Sequence, residues 1–312
     1  MRAFLFPGQG SQSVGMGAAL SEASRAARDV LEQVDEALGQ NLARLMRDGP
    51  DDELRLTENA QPAIMANSMA VFAALTRDGG VELARAARFV AGHSLGEYTA
   101  LCAAGSFDLA TTAKLLKLRG QAMQAAVPVG QGAMAALLGA DLDLARRIAD
   151  AAAQGDVCAV ANDNDPGQVV LSGHKGAIDR AIEIAKEMGA KRAVPLPVSA
   201  PFHCPLMHPA AEAMREALST VVVEEPAIPV YANVTAAPET DPDTIRALLV
   251  DQVTGLVRWR ESVAAMVAAG VDEFVELGGK VLGPMVKRTA PDVKVTSVVT
   301  IEDVEALAKE IV

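Results

Sequence analysis

Aromatic side chains are scarce in this chain, at 3% of 312 residues. Half of the residues are apolar, so a core has to be built from Ala, Val, Leu and Met. Cysteine is nearly absent: Cys102, Cys158 and Cys204 are far apart and odd in number. They make neither a disulfide framework nor a zinc pattern, which suits a reducing compartment. Positive charge is in deficit, with a formal net charge of −12. That argues against nucleic acid as the main partner, because a phosphate backbone attracts the opposite sign. No apolar run is long enough to span a bilayer, and the one at the start breaks at Pro7, too early for a signal peptide. The expectation is a cytoplasmic protein with no membrane and no nucleic-acid partner. Its length allows one large domain or two.

What is present is organised around residues 88–98, R-F-V-A-G-H-S-L-G-E-Y. The run Phe89-Val90-Ala91 has strand character, Gly92-His93-Ser94-Leu95-Gly96 fits G-x-S-x-G, and an Ala- and Leu-rich helical stretch follows. Strand, tight turn and helix are the context in which this pattern means a nucleophile elbow. The flanking glycines remove side chains that a sharp turn could not hold. The hydroxyl then sits under a helix N-terminus, where free N–H groups can stabilise an oxyanion. The alternative is a Gly-Ser turn that merely caps a helix.

Upstream, a short strand over 3–6 leads into Pro7-Gly8-Gln9-Gly10-Ser11-Gln12 and a helix over 17–38. The turn lacks the third glycine of G-x-G-x-x-G, and no G-K-[ST] follows, so a nucleotide loop is disfavoured. A loop whose backbone approaches another element closely is the better reading. Residues 51–79 read as helix broken at Gln61-Pro62. Ser106-Phe107-Asp108 caps a helix over 109–126. At about 100° per residue, Thr112, Leu115, Leu116, Ala122, Met123 and Ala126 share one face of it, and Arg119 sits in the middle of that face. A guanidinium there snorkels out or meets an anion: a core carboxylate, or the carboxylate of a substrate, which its planar fork binds bidentately.

Residues 128–197 have a different rhythm: strands over 132–138, 157–161, 168–172 and 192–196, with helices over 142–153 and 177–188. The order β-α-β-β-α-β is ferredoxin-like. Asn162-Asp163-Asn164-Asp165-Pro166-Gly167 reads as a turn. The prediction is an α/β-hydrolase-like α/β core with a parallel sheet over 1–127 and 198–312, and an inserted ferredoxin-like subdomain over 128–197. A serine nucleophile needs a base near neutral pH, and the chain has only His93, His174, His203 and His208. His93 is adjacent to the serine and points away from it; His174 lies in a turn; His208 follows a helix-like turn. His203, in the stiff loop Pro197-Val198-Ser199-Ala200-Pro201-Phe202-His203-Cys204-Pro205, is the preferred base. The remainder reads as α/β, with strands over 229–233, 272–277 and 294–299, and helices between and after them.

Several of these motifs together resemble the malonyl-CoA:acyl-carrier-protein transacylases of fatty acid synthesis. They are Phe6 through Gln12, Gly92 through Tyr98, Leu118-Arg119-Gly120, Asn162 through Gly173, Ser199 through His203, and Glu276-Leu277-Gly278. The resemblance covers essentially the whole chain, in order and at family-like spacing. It implies ping-pong transfer of a malonyl group from malonyl-CoA, through Ser94, to the phosphopantetheine thiol of holo acyl carrier protein. It implies His203 as base, oriented by the backbone carbonyl of Gln252, and an oxyanion hole of the Gln9 and Leu95 N–H groups. It makes Arg119 the malonyl-carboxylate receptor, and Phe202 the residue that crowds out an α-methyl branch. Met123, Gln61 and Asn162 are carried over to the substrate channel. No cofactor and no metal are implied, and the expected state is a monomer. Because the carrier is acidic like this chain, docking calls for a local basic patch, with Lys186, Lys191, Arg192, Lys287 and Arg288 as candidates. The rivals are a serine esterase or thioesterase, a malonyl transferase of malonate decarboxylase or polyketide systems, and a non-catalytic scaffold.

Overall fold

The computed structural model describes residues 1–198 and 200–312; Ser199, in the proline-flanked loop, lies outside the described residues. The strands are β1 (Arg2–Phe6), β2 (Phe89–Gly92), β3 (Gly132–Leu138), β4 (Cys158–Asp165), β5 (Gln168–His174), β6 (Arg192–Pro195), β7 (Val230–Ala232), β8 (Ala237–Glu239), β9 (Glu273–Leu277) and β10 (Lys294–Val298). They form two sheets. The larger has the order β10-β9-β1-β2-β7-β8 and is parallel except for its β7–β8 edge. The smaller has the order β4-β5-β3-β6 and is antiparallel throughout.

Period-two alternation sorts the side chains of each sheet. On β1, Phe4 and Phe6 enter one apolar layer, Ala3 and Leu5 the opposite one. Both faces are covered by helices, as a parallel sheet requires. On β3, Ala135 and Leu137 pack under the helices Leu142–Ala153 and Lys175–Glu187, while Met134 and Ala136 face the larger sheet's core. The smaller sheet thus has a helix-covered face and a face turned towards the rest of the molecule.

Three segments differ from the sequence reading. The helix expected over 17–38 is two, Ala18–Ala23 and Arg25–Leu38; extended Ser24 separates them and its hydroxyl accepts the Ala27 N–H. Pro62 does not break its helix, Thr57–Ala73, which runs through it into a wider turn at Ala74–Asp78. Proline removes one intrahelical bond, but this helix is enclosed on all sides, so packing outweighs that loss. Residues 162–165 are not a turn. They continue β4 with two register shifts, and only Pro166-Gly167 reverse the chain. The reason is tertiary: Asn162 bridges to Val257 in parallel, the Asp163 N–H donates to Val257 O, and the Asp163 carboxylate takes Arg260 Nη2 at 2.8 Å. Asp165 takes Arg288 Nε at 2.7 Å. Asp and Asn signal turns because their side chains bond locally; here Asp165 does accept the Gly167 N–H, but Asp163 and Asp165 also reach arginines on the helices Trp259–Ala268 and Leu282–Thr289.

Candidate active site

The site lies beyond the C-terminal ends of β1 and β2, where open α/β sheets present their loops. At the end of β2 the chain turns sharply, and Ser94 takes φ 55°, ψ −112°. That region is costly for a side-chain-bearing residue and persists only when its surroundings hold it. The surroundings do so by close approach: a Cβ on Gly92 would fall on Gly96 O, and one on Gly96 on Phe6 O. The Ser94 N–H donates to Asn233 Oδ1 at 2.7 Å, and Asn233 Nδ2 donates to Gly92 O at 2.7 Å. The Gly8 loop meets the same turn, and a Cβ on Gly8 would stand 2.7 Å from His93 O. This is the close approach expected of that loop. The Gln9 and Leu95 N–H groups have no hydrogen-bond acceptor among the described residues.

His203 Nε2 is 2.7 Å from Ser94 Oγ, and His203 Nδ1 is 2.9 Å from Gln252 O. A carbonyl can only accept, so Nδ1 carries the proton and Nε2 turns its lone pair to the serine. Burial, reinforced by the nearby Arg119 charge, pushes His203 down to about 3. The imidazole is therefore neutral at physiological pH, with its Nε2 lone pair unprotonated. His93 also lines the cavity, but none of the other histidines bonds Ser94 Oγ. His93 Nε2 bonds Asn164 Oδ1 at 2.8 Å and its ring meets Trp259 edge-on. His174 ends β5, where Nδ1 accepts the Val157 N–H, and His208 is exposed.

Arg119 is 1% exposed. Its Nη1 donates to Gln61 Oε1 at 2.8 Å; its Nη2 donates to Gln252 Oε1 at 2.8 Å and to Ser94 Oγ at 3.2 Å. Every one of these acceptors is neutral, Nε has none, and no carboxylate of the described residues lies within 4.0 Å. No core carboxylate pairs with Arg119 directly; the buried Glu97 is reached only through the Gln252 amide. A buried guanidinium with neutral partners beside a hydroxyl has the chemistry to take up an anion.

The cavity above these groups has a volume of about 250 Å³. Gln9, Gln61, Leu95, Met123, Asn162 and Phe202 line it together with Ser94, Arg119 and His203, and Gln252 stands behind them. The sequence reading missed Met134 and Leu196, which form the wall on the smaller sheet's side, and Arg55. It also missed the buried polar layer of Thr57, Glu97, Asn164 and Asn233. A signal for Glu97 was available: it is the one charged residue in a helix, Leu95–Ala103, that is otherwise apolar or small. Three residues proposed for a basic docking patch have other partners: Lys186 Nζ lies 3.7 Å from Glu183 Oε2. Arg288 pairs with Asp165, and Lys287 Nζ donates to Pro291 O and Val293 O.

Comparison with known proteins agrees with this geometry. Residues 3–301 match the acyl transferase domain family. A malonyl CoA-acyl carrier protein transacylase of Bacillus subtilis (strain 168) is 43% identical over 97% of this chain and 95% of its own length. An acyl-carrier-protein S-malonyltransferase structure from Bartonella henselae superposes with a TM-score of 0.97 at 51% identity, covering 99% of each chain. A malonyl-transacylase solved in complex with its type II polyketide acyl-carrier protein gives 0.95 at 38%, again covering 99% of each chain. The fold and the match over nearly all its length define an acyltransferase. The chain belongs to the malonyl CoA-acyl carrier protein transacylase family.

Proposed function

We propose that this protein moves a malonyl group from malonyl-CoA to the phosphopantetheine thiol of an acyl carrier protein, by a ping-pong route through a malonyl ester of Ser94. The observation that carries the reading is Arg119: buried, paired only with neutral acceptors, and 3.2 Å from Ser94 Oγ. A group that places a carboxylate on Arg119 and a thioester carbonyl on Ser94 is a short acyl chain with a terminal carboxylate.

Ser94 Oγ attacks the thioester carbon and its proton passes to His203 Nε2, 2.7 Å away. The carbonyl oxygen becomes an oxyanion facing the Gln9 and Leu95 N–H groups, which have no other acceptor to give up. Collapse breaks the C–S bond, and His203 returns the proton to the CoA sulfur. The carrier thiol then gives its proton to His203, attacks the ester, and leaves with the malonyl group as Ser94 recovers its hydrogen. The Gln252 carbonyl, at 2.9 Å from Nδ1, fixes the ring's tautomer in place of an acidic residue. Phe202, at the cavity wall next to the base, narrows the space beside the acyl α-carbon. In the same reading, residues 128–197 form a ferredoxin-like subdomain inserted in an α/β-hydrolase-like core; the sheet order β4-β5-β3-β6 supports it.

The test is the intact mass of the protein after mixing with malonyl-CoA, beside Ser94→Ala, followed by holo acyl carrier protein. A malonyl adduct is expected on the unaltered protein only, cleared by the carrier far faster than by water. An adduct lost at the same rate without carrier would make the protein a thioesterase instead.

A further inference from the structure

Beside the catalytic groups stands a buried carboxylate to which the mechanism above gives no task. Glu97 is 3% exposed. Its Oε2 accepts the Asn233 N–H at 3.0 Å and Gln252 Nε2 at 2.8 Å. The other end of the same amide, Gln252 Oε1, accepts Arg119 Nη2 at 2.8 Å. A single amide therefore stands between a buried carboxylate and a buried guanidinium, its dipole aligned with both charges. A guanidinium taken out of water with no counter-charge is strongly destabilising, and this is the carboxylate that its hydrogen-bond network reaches. We propose that Glu97 is the resident counter-charge of Arg119, relayed through Gln252, and that a substrate carboxylate displaces it from that role, so that Glu97 takes up a proton as the malonyl group is loaded. The proposal rests on the reading of Arg119 as the substrate receptor.

The argument is one of charge balance in a dry site. Glu97 and Arg119 sum to zero while the pocket holds no anion. A substrate carboxylate on Arg119 adds a second negative charge against one positive, and a proton on Glu97 restores neutrality. Among the described residues, no other group around Glu97 supplies that proton site. On its own helix, burial raises Tyr98 and pushes Cys102 up to about 11, so both stay neutral. Tyr231, on β7, is raised by burial, and His203 and His93 are held low by burial, so all three stay uncharged. From the remaining packed elements, Arg2 is engaged with Glu273 and Glu310, and Glu58 with Lys117. Burial raises Glu97 to about 7, against the Asn233 and Gln252 hydrogen bonds and Arg119, which hold it down. The carboxylate is thus poised where a change in its neighbour's charge alters its occupancy.

The sign follows from linkage. Loading raises the affinity of Glu97 for a proton, so protons favour loading: the advantage is full below the free protein's value and is lost as pH rises from there through the loaded protein's higher one. An acetyl group places no charge on Arg119 and carries no such dependence. The experiment measures, on the intact protein, the equilibrium fraction of malonyl and of acetyl adduct by mass between about pH 6 and pH 8.5, with proton uptake followed by an indicator dye. The malonyl-to-acetyl ratio of adduct formation constants is expected to fall by about threefold or more over this range. Malonyl loading near pH 7.5 is expected to take up a measurable fraction of a proton and acetyl loading none. Glu97→Gln keeps an oxygen to accept from Asn233 and Gln252, and is expected to flatten the ratio and abolish the uptake. A flat ratio without uptake in the unaltered protein, or an undiminished dependence in E97Q, overturns the proposal. Should E97Q not fold, the proton count of the unaltered protein decides alone. A protein that forms no malonyl adduct at any pH refutes the receptor reading first, and this proposal with it.

Discussion

The two sheets treat polar side chains in opposite ways. The parallel sheet gathers them at one edge: Gln9 follows β1, Ser94 follows β2, and Asn233 follows β7. All its strands but the β8 edge point the same way, so their C-terminal loops converge and can be braced against one another. The antiparallel sheet spreads its chain ends over both edges and collects nothing comparable. Towards the cavity it offers Met134, and Leu196 just past β6, as walls, with Asn162 as the polar exception. Its buried charges, Asp163 and Asp165, serve the joint between the sheets. One sheet thus holds the chemistry and the other encloses it.

That division is broken most severely through Arg119. The helix carrying it, Leu109–Ala126, packs on the parallel-sheet side and directs the guanidinium to Ser94. On the proposed function, Arg119→Ala removes the cation that a substrate carboxylate would meet; it also strands the side chains of Gln61 and Gln252. Removing one member of a desolvated charged pair costs about 3–5 kcal/mol, or roughly 10²–10⁴ in rate. The expected outcome is a loss of that size in kcat/KM for malonyl-CoA, with the rate for acetyl-CoA changed only a few-fold. Equal losses for the two acyl groups would show that Arg119 braces the site and does not read the substrate.

The joint is the next place to press. Asp163 is fully buried, and its partner Arg260 keeps 31% of its side chain exposed. Burial raises the Asp163 carboxyl, and the hydrogen bond and charge of Arg260 pull it back. In Asp163→Ala the arginine can return to water, so the cost stays below that of a fully stranded charge, at about 1–3 kcal/mol. Urea unfolding should show the lower midpoint, while malonyl loading per folded molecule stays within a few-fold of the unaltered protein. A large loss of loading at unchanged stability would mean that the joint sets the geometry of the chemistry as well.

The sequence made the chemistry legible and left the joint unread, for physical reasons. Ser94 is bracketed by glycines that only a strained turn demands, and Arg119 interrupts an apolar helix face; each is an anomaly within a few residues of chain. His203 stood out because four histidines leave few choices. The Asp163 and Asp165 pairings join residues 97 and 123 positions apart in the chain. Nothing in Asn162-Asp163-Asn164-Asp165 distinguishes a strand docked on arginines from a polar turn, because local bonding and long-range pairing call for the same side chains. Glu97 was hidden differently. It lies inside a motif whose serine absorbed the interpretation, and its partners come from the 233 and 252 regions.

The smallest effect tests the claim that the antiparallel sheet contributes shape alone. Met134 is 4% exposed and presents its side chain to the cavity from the middle of β3, with Ser172 and no catalytic group as its register partner. Met134→Leu nearly conserves volume, and such swaps cost less than about 1.5 kcal/mol. If the wall only fills space and the proposed function holds, the substitution leaves the malonyl-to-acetyl preference within about twofold, because charge on the opposite side of the cavity would set it. The two rates, measured side by side on M134L, give the answer directly. A preference altered several-fold by one apolar substitution would mean that the wall steers the acyl carboxylate onto Arg119, and that selection is shared between the sheets.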